Sequence, residues 1–356
     1  MNDLVFKPGL SLSEFLHPGF LSGLFRLNVF SSHSRHIRKF FKHPKIIQLL
    51  EFPVLFLGAK PSKTPALYSL MNYADLKLGT WYPMGGMSKI AQGMESVCRD
   101  LGVSFNLSET VSSLSFSGNN ISGVQTSLQS YSPDIVVAGA DYHHIDQQLL
   151  PPAFRSYSDK YWNSRVLAPS SLIFYLGFNR KIAGLKHHNL FFDQPFDNHA
   201  AQIYDKPQWP ENPLFYVCAP SKTDPEVADP NHENLFVLIP VAPGLVDTDE
   251  LRKPYLNQIL SRIESLTGEK NLEKALIFSR SYAHKDFISD YNSFKGNAYG
   301  LANTLKQTAI LKPSLKSKKL HNLYFTGQLT VPGPGIPPAL ISGEVVAAQI
   351  EKDLLS

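Results

Sequence analysis

Apolar positions in the middle of the chain come in short, strongly β-forming runs. Leu172-Ile-Phe-Tyr175, Leu214-Phe-Tyr-Val217 and Leu235-Phe-Val-Leu-Ile239 are rich in aliphatic and aromatic residues, which predicts an antiparallel sheet within residues 171–280. Upstream the pattern changes: between Met87 and Leu101 the apolar residues Ile90, Met94 and Val97 recur at helical spacing. Short strands are predicted after that helix near Ser104, Val111 and Gly123, and Asp134-Ile-Val-Val-Ala-Gly-Ala-Asp141 reads as a buried strand running into a loop. Residues up to about 78 read as helical, punctuated by Pro8-Gly9, Pro18-Gly19 and the stretch from Gly58 to Pro65. The sequence carries no internal repeat and no low-complexity tract.

The most informative punctuation is Leu323-Tyr-Phe-Thr-Gly-Gln-Leu-Thr-Val-Pro-Gly-Pro-Gly-Ile-Pro-Pro-Ala-Leu-Ile-Ser-Gly343, which predicts strand, glycine turn, then helix. Gly333 and Gly335 let backbone approach a ligand with no Cβ in the way, and Pro337 or Pro338 suits a first helical turn. Free N–H groups and the positive dipole end at such a start favour a carbonyl or a developing negative charge. Read alone, the same residues also fit a plain Pro/Gly turn before a surface helix.

Composition narrows the class. Hydrophobic residues make up 43% and charged residues 18%, enough for a sizeable core, and 356 residues suggest roughly two domains. A net charge of +4 is too mild to argue for nucleic acid. Cys98 and Cys218 are far apart, with no Cys-x-x-Cys pair, so buried thiols in a reducing compartment are expected. The first residues, interrupted by Asp3 and Lys7, do not read as a secretory signal. Ile46 to Gly58, the longest apolar stretch, is broken by Gln48, Glu51 and Pro53 and is too short to cross a bilayer. Between Leu10 and Leu57, however, Phe15, Leu16, Phe20, Leu21, Leu24 and Phe25 accompany a basic set of Arg26, His33, Arg35, His36, Arg38, Lys39 and Lys42. This composition suits an interfacial helix on anionic lipid, or a helical cap whose charges are merely solvated.

Several chemistries are excluded by missing motifs: the chain has no Gly-x-Ser-x-Gly, His-Glu-x-x-His or Walker loop. The pairs His143-His144 and His187-His188 invite a metal, but neighbours on a strand point to opposite faces, so no metal site is expected.

Further segments carry a family resemblance: Trp81-Tyr-Pro-Met-Gly-Gly-Met-Ser-Lys-Ile-Ala-Gln-Gly-Met94, Leu101 to Phe105, Glu109 to Leu114, Asp224-Pro225, Glu233 to Gly244 and Asp290 to Thr304. With the glycine turn, they make the chain resemble the bacterial phytoene desaturases, FAD-dependent carotenoid desaturases of the amine-oxidase-like flavoprotein superfamily, and most of all their Bacteroidetes branch. The resemblance implies an α/β plus α+β fold, with an FAD-binding Rossmann-like domain interleaved with a substrate domain of antiparallel sheet and helical cap. The implied boundaries are a membrane-facing cap at 1–80, nucleotide-domain segments at 81–145 and 318–356, and the substrate domain at 146–317. Members open with a strand and a Gly-x-Gly-x-x-Gly pyrophosphate turn, a pattern found nowhere here. Met1 to Gly9 instead resembles an internal stretch, so the chain is expected to be N-terminally truncated, with an incomplete nucleotide domain lacking its first βαβ unit.

The resemblance also implies roles. Val111 would meet the adenine through its backbone, Thr326, Gly327 and Gln328 the ribitol or pyrophosphate, and Gly335, Ile336 and Pro337 the flavin pyrimidine end, with Ile336 the better donor because proline lacks an N–H. Gly85 and Gly86, with Tyr291 and Tyr299, would lie along the polyene or flavin, near Phe294 and Asn297. Asp290 and His284 are candidate bases only by proximity, and no catalytic residue is assigned. The implied reaction is desaturation of phytoene toward lycopene by a peripherally membrane-associated cytoplasmic enzyme whose partner is a long apolar polyene. The alternatives are a non-catalytic lipid-binding remnant, or a sister desaturase or isomerase acting on another, hydroxylated carotenoid.

Overall fold

The computed structural model describes residues 5–11, 14, 31–57 and 59–355. The expected apolar positions from Phe15 to Phe25, Arg26, the Pro18-Gly19 turn and Gly58 lie outside the described residues. The rest forms two compact units, one from the segments up to Tyr73, Leu107–Pro169 and Ile288–Ser356, the other from Ala74–Asn106 and Ser170–Phe287.

In the second unit the three apolar runs become β5 (Ser170–Phe178), β7 (Phe215–Cys218) and β8 (Glu233–Val241), joined by β6 (His188–Phe191) and β9 (Leu276–Tyr282). Their order is β6-β7-β8-β5-β9, antiparallel throughout, as the sequence predicts. The period-2 pattern puts Leu172, Phe174, Leu176 and Phe178 of β5 with Leu235, Val237, Ile239 and Val241 of β8 in one core. Onto it packs α4 (Asp249–Thr267) through Ile259, Leu260 and Ile263. Each such fully buried side chain contributes about 1.5–3 kcal/mol relative to exposure. Helix α4 starts where the Thr248 hydroxyl accepts the Leu251 N–H at 3.3 Å and stops at Gly268, whose φ of 79° only glycine adopts easily.

The predicted helix from Met87 is α3 (Ser88–Asp100), but its Ile90, Met94 and Val97 stripe is not a core face: no residue of α3 is buried. The strand expected near Ser104 does not form. Ser104 lies in a loop between turns at Gly102 and Ser108, and the first strand begins at Val111. Residues 81–106, which the resemblance groups with 107–145, fall instead in the unit of the five-stranded sheet. The reason is non-local, for Gly85 N–H donates to Asp224 Oδ2 at 2.7 Å.

In the first unit, β1 (Val111–Ser117), β2 (Asn120–Thr126) and β3 (Ser130–Tyr131) form an antiparallel meander. Separately, β4 (Val136–Ala138) pairs in parallel with β10 (Leu323–Phe325), Val136 opposite Leu323 and Ala138 opposite Phe325. Phe325 is sealed by Tyr142, whose ring stacks on it at 3.6 Å, and by the fully buried Trp162. The closing helix α6 (Ile336–Leu354) lays Val345 and Val346 on Tyr324 and Val331. The same unit contains α1 (His33–Phe40), capped by Ser32, and α2 (Pro44–Glu51). Helix α5 (His284–Tyr291) straddles the boundary between the two units.

Candidate active site

Parallel strands present their carboxyl ends on one side, the usual place for a ligand in such sheets. After β10 the Thr326 N–H extends the ladder by donating to Ala138 O at 3.1 Å. A Cβ on Gly139 would lie 3.7 Å from Thr326 Cγ2, so the loops leaving β4 and β10 touch. The Thr326 hydroxyl and the Gly327 N–H both donate to Ser342 Oγ at 3.0 Å, pinning the turn to α6. Thr326 and Gly327 are thus held to the same helix whose start Gly335 caps.

The glycines are required. Gly327, Gly333 and Gly335 have φ of 102°, 137° and 113°, backbone that L side chains rarely adopt. Pro337 and Pro338 have no N–H and Ala339 N–H is spent on Gly335 O at 2.9 Å, which leaves Ile336 N–H as the donor at the exposed helix start.

Beneath this turn lies a residue that sequence reasoning missed. Lys312 is 4% exposed, and its Nζ donates to Asn303 Oδ1 at 3.1 Å. A Cβ on Gly333 would sit 3.1 Å from that Nζ and 3.3 Å from Asn303 Oδ1. Burial lowers the ammonium to about 8, so at neutral pH it still brings positive charge to the floor of the glycine turn. No periodicity marks it, because Leu-Lys-Pro reads as an ordinary surface break.

The segment 293–300 closes against the same turn. The Gly300 N–H donates to Asn297 Oδ1 at 2.7 Å, and a Cβ on Gly300 would meet Gln328 O at 2.7 Å. Asn297, 1% exposed, also donates from Nδ2 to Phe294 O at 2.7 Å, so it shapes the loop. Tyr299 is half-buried here, whereas Tyr291 is 63% exposed at the end of α5. Val111 opens β1 opposite Thr126, 37% exposed. Of the two candidate bases, His284 is buried in the second unit, with Nε2–H donating to Ala242 O at 2.7 Å, a structural arrangement; Asp290 is exposed. Gly85 and Gly86 also belong to the second unit, where buried Asp224 holds their turn. Burial would raise the Asp224 carboxyl, but N–H groups of Glu226 and Gly85 and the Tyr82 hydroxyl outweigh it and hold it low.

Asp141, in the loop after β4, accepts from His144 N–H at 3.1 Å and Phe294 N–H at 3.2 Å, beside the His143 ring stacked on Phe294. Burial nevertheless raises its carboxyl to about 6. A folded-state value above the unfolded one means stability fully present below about pH 4 and lost as pH rises through 6, by roughly 3 kcal/mol at most. Asp141→Asn loses one acceptor at every pH but removes this slope. The expected result is that the variant's melting temperature, compared with wild type, rises between pH 4 and 7; parallel curves would assign the titration elsewhere.

The histidine expectation needs correction. His143 and His144 lie on a helical turn, and His187 precedes β6, so strand alternation governs neither pair. The His187 and His188 rings are 4.4 Å apart, with Cys218 beside them.

Residues 10–351 match the family model described as flavin containing amine oxidoreductase. The chain is 39% identical over 328 residues to the carotenoid 3,4-desaturase of Haloarcula japonica, covering 92% of this chain and 66% of that protein. It is 28% identical over 354 residues to the zeta-carotene-forming phytoene desaturase of Myxococcus xanthus, covering 98% of this chain and 68% of the relative. An oxidoreductase from Methanosarcina mazei has a similar fold, with a TM-score of 0.59 at 16% identity over 96% of this chain and 75% of that one.

Proposed function

Because the chain belongs to the flavin-containing amine oxidoreductase family, we propose that the protein is an FAD-dependent carotenoid desaturase that dehydrogenates a phytoene-like polyene toward lycopene. The observation that carries the reading is the glycine turn joining β10 to α6, floored by the buried Lys312 ammonium. Its residues fit a flavin nucleotide. Nothing lies within 4 Å of a Cβ built on Gly327, and the turn offers the Ile336 N–H, a buried cation and a helix dipole of favourable sign. In this reading β4, β10 and α6 belong to a Rossmann-like domain and the five-stranded sheet to the substrate domain. FAD, when bound, supplies a two-electron acceptor for the hydride that leaves one carbon as the neighbouring carbon gives up a proton. The chain's own part is to hold and orient it: Thr326, Gly327 and Gln328 toward its sugar and phosphates, Gly335 and Ile336 toward the pyrimidine edge, Val111 toward the adenine, and Lys312 as the charge beneath. Gly85, Gly86, Tyr291 and Tyr299 are proposed to contact the polyene.

The test is purification with FAD present, followed by incubation with phytoene-loaded liposomes. A yellow protein and a product whose absorption moves to longer wavelength are expected. A colourless protein that releases no flavin on denaturation would overturn the reading, and a yellow protein inert toward phytoene would move it to another polyene.

A membrane-surface contact is part of the same proposal. Among described residues no helix is long and apolar enough to cross a membrane, but α1, α2 and the link between them expose Phe40, Phe41, Ile46 and Leu49 beside Arg35, Lys39 and Lys42. Arg38 pairs with Glu51 at 3.2 Å and is best left in place. At about 1 kcal/mol per basic residue near an anionic surface, Arg35→Gln, Lys39→Gln and Lys42→Gln together should weaken co-sedimentation with anionic liposomes about a hundredfold. Unchanged sedimentation would return these charges to a solvated face.

A further inference from the structure

The second unit holds a cluster that the proposed chemistry does not use. His188 opens β6 and stands in register with Cys218, the last residue of β7, and His187 immediately precedes it. One ring nitrogen of each histidine and Cys218 Sγ all lie within 4.8 Å of one another. Two imidazoles and a thiolate form a donor set that suits zinc.

Two further observations separate this from a chance grouping. His187 Nε2 is buried with no hydrogen-bond partner, a cost of about 1–3 kcal/mol for a polar atom left so. Its other nitrogen, Nδ1, lies 2.6 Å from the Thr223 hydroxyl. With Nδ1–H donating to Thr223, the lone pair is on Nε2, the arrangement in which an outer hydrogen bond fixes the tautomer of a metal-binding histidine. His188 Nδ1 has the same kind of support from the Tyr216 hydroxyl at 2.6 Å. The Tyr82 ring walls the other side, edge-on to His187 at 4.8 Å.

We propose that His187, His188 and Cys218 bind a zinc-class ion that staples the edge strand β6 to β7, with water completing a tetrahedral shell on the exposed His188 side. Bond lengths of about 2.0 Å to nitrogen and 2.3 Å to sulfur need donor separations of roughly 3.3–3.5 Å, within reach of small side-chain rotations. On binding, the Cys218 thiol gives its proton to solvent and no redox change occurs.

The experiment uses untagged protein kept reduced, dialysed against Zn2+ and then desalted, with metal content measured by mass spectrometry. About one zinc per chain is expected in wild type. Cys218→Ala and His187→Ala should each weaken zinc about a hundredfold or more, since loss of a ligand exceeds the tenfold to hundredfold typical of outer-shell changes. Thr223→Val should weaken it about tenfold. Co2+ in place of zinc should give a thiolate-to-metal charge-transfer band that Cys218→Ala abolishes. Zinc should also raise the melting temperature of wild type and leave Cys218→Ala unmoved, a readout that keeps the proposal testable if His187→Ala misfolds. Sub-stoichiometric metal in wild type, retention untouched by Cys218→Ala, or a cobalt spectrum without the thiolate band would each overturn it.

Discussion

Gly335→Val is expected to leave the purified protein colourless while its five-stranded sheet stays folded. At φ 113° a β-branched residue is strained, at a cost of about 1–3 kcal/mol, and its Cβ would sit 3.3 Å from Pro338 Cδ. The strain falls on the residue that sets the direction of the Ile336 N–H, so relief by backbone rotation moves that donor at the helix start. The new methyls would also project from a position that is now exposed, where the proposed ligand needs bare backbone. Flavin affinity should fall at least tenfold, read from flavin absorbance after gel filtration. Gly343→Ala is the matched control. It lies on the same helix with nothing within 4 Å of a built Cβ, and it should keep its flavin and gain up to about 1 kcal/mol of helix propensity. Full flavin occupancy in Gly335→Val would remove the glycine turn from the site.

What the sequence showed in advance was local. The β10–turn–α6 unit was legible because glycine and proline act through their own backbone, and the central sheet because runs such as Leu235 to Ile239 leave few other ways to bury that surface. Contacts between distant segments were not legible. Lys312 became a site residue only because Gly333 passes over it, and Gly300 became obligatory only because Gln328 O lies 2.7 Å from where its Cβ would be. Residues 81–106 changed unit because Asp224 reaches back to Gly85 across a separation no period encodes. The Met94 and Val97 stripe showed the converse failure, for helical spacing is a property of the helix and says nothing of what covers it. His187 was misjudged because strand alternation was applied one residue before the strand begins.

The same blindness to long-range partners hid Arg252, whose removal should cost the second unit several kcal/mol, about 3–5. In sequence it is one basic residue in Asp-Thr-Asp-Glu-Leu-Arg-Lys, a solvated helix start. In the structure it is 2% exposed, with Nη2 2.5 Å from Asp247 Oδ2 and 2.6 Å from Asp286 Oδ2, and Nε 2.7 Å from Asp247 Oδ1. It therefore ties α4 to the loop before it and to α5. Burial would raise the Asp247 carboxyl, but Arg252 and the Lys285 N–H outweigh it and hold it below its ordinary value. Arg252→Ala strips the cation from two carboxylates and should cost about 3–5 kcal/mol in denaturant unfolding at pH 7. The sign of the pH dependence follows. A depressed carboxylate stabilises above its unfolded value near 4 and loses that contribution as pH falls through the folded value. Wild type should therefore gain stability as pH rises to about 4 and change little from this group above it, while the variant lacks that gain below pH 4. Replacing the group together, Arg252→Met with Asp247→Leu and Asp286→Leu, should recover much of the loss, because neither the cation nor the carboxylates then remain buried without partners. If Arg252→Ala alone proves nearly neutral, the guanidinium is solvated in solution and the anchoring of α4 rests on Ile259, Leu260 and Ile263 alone.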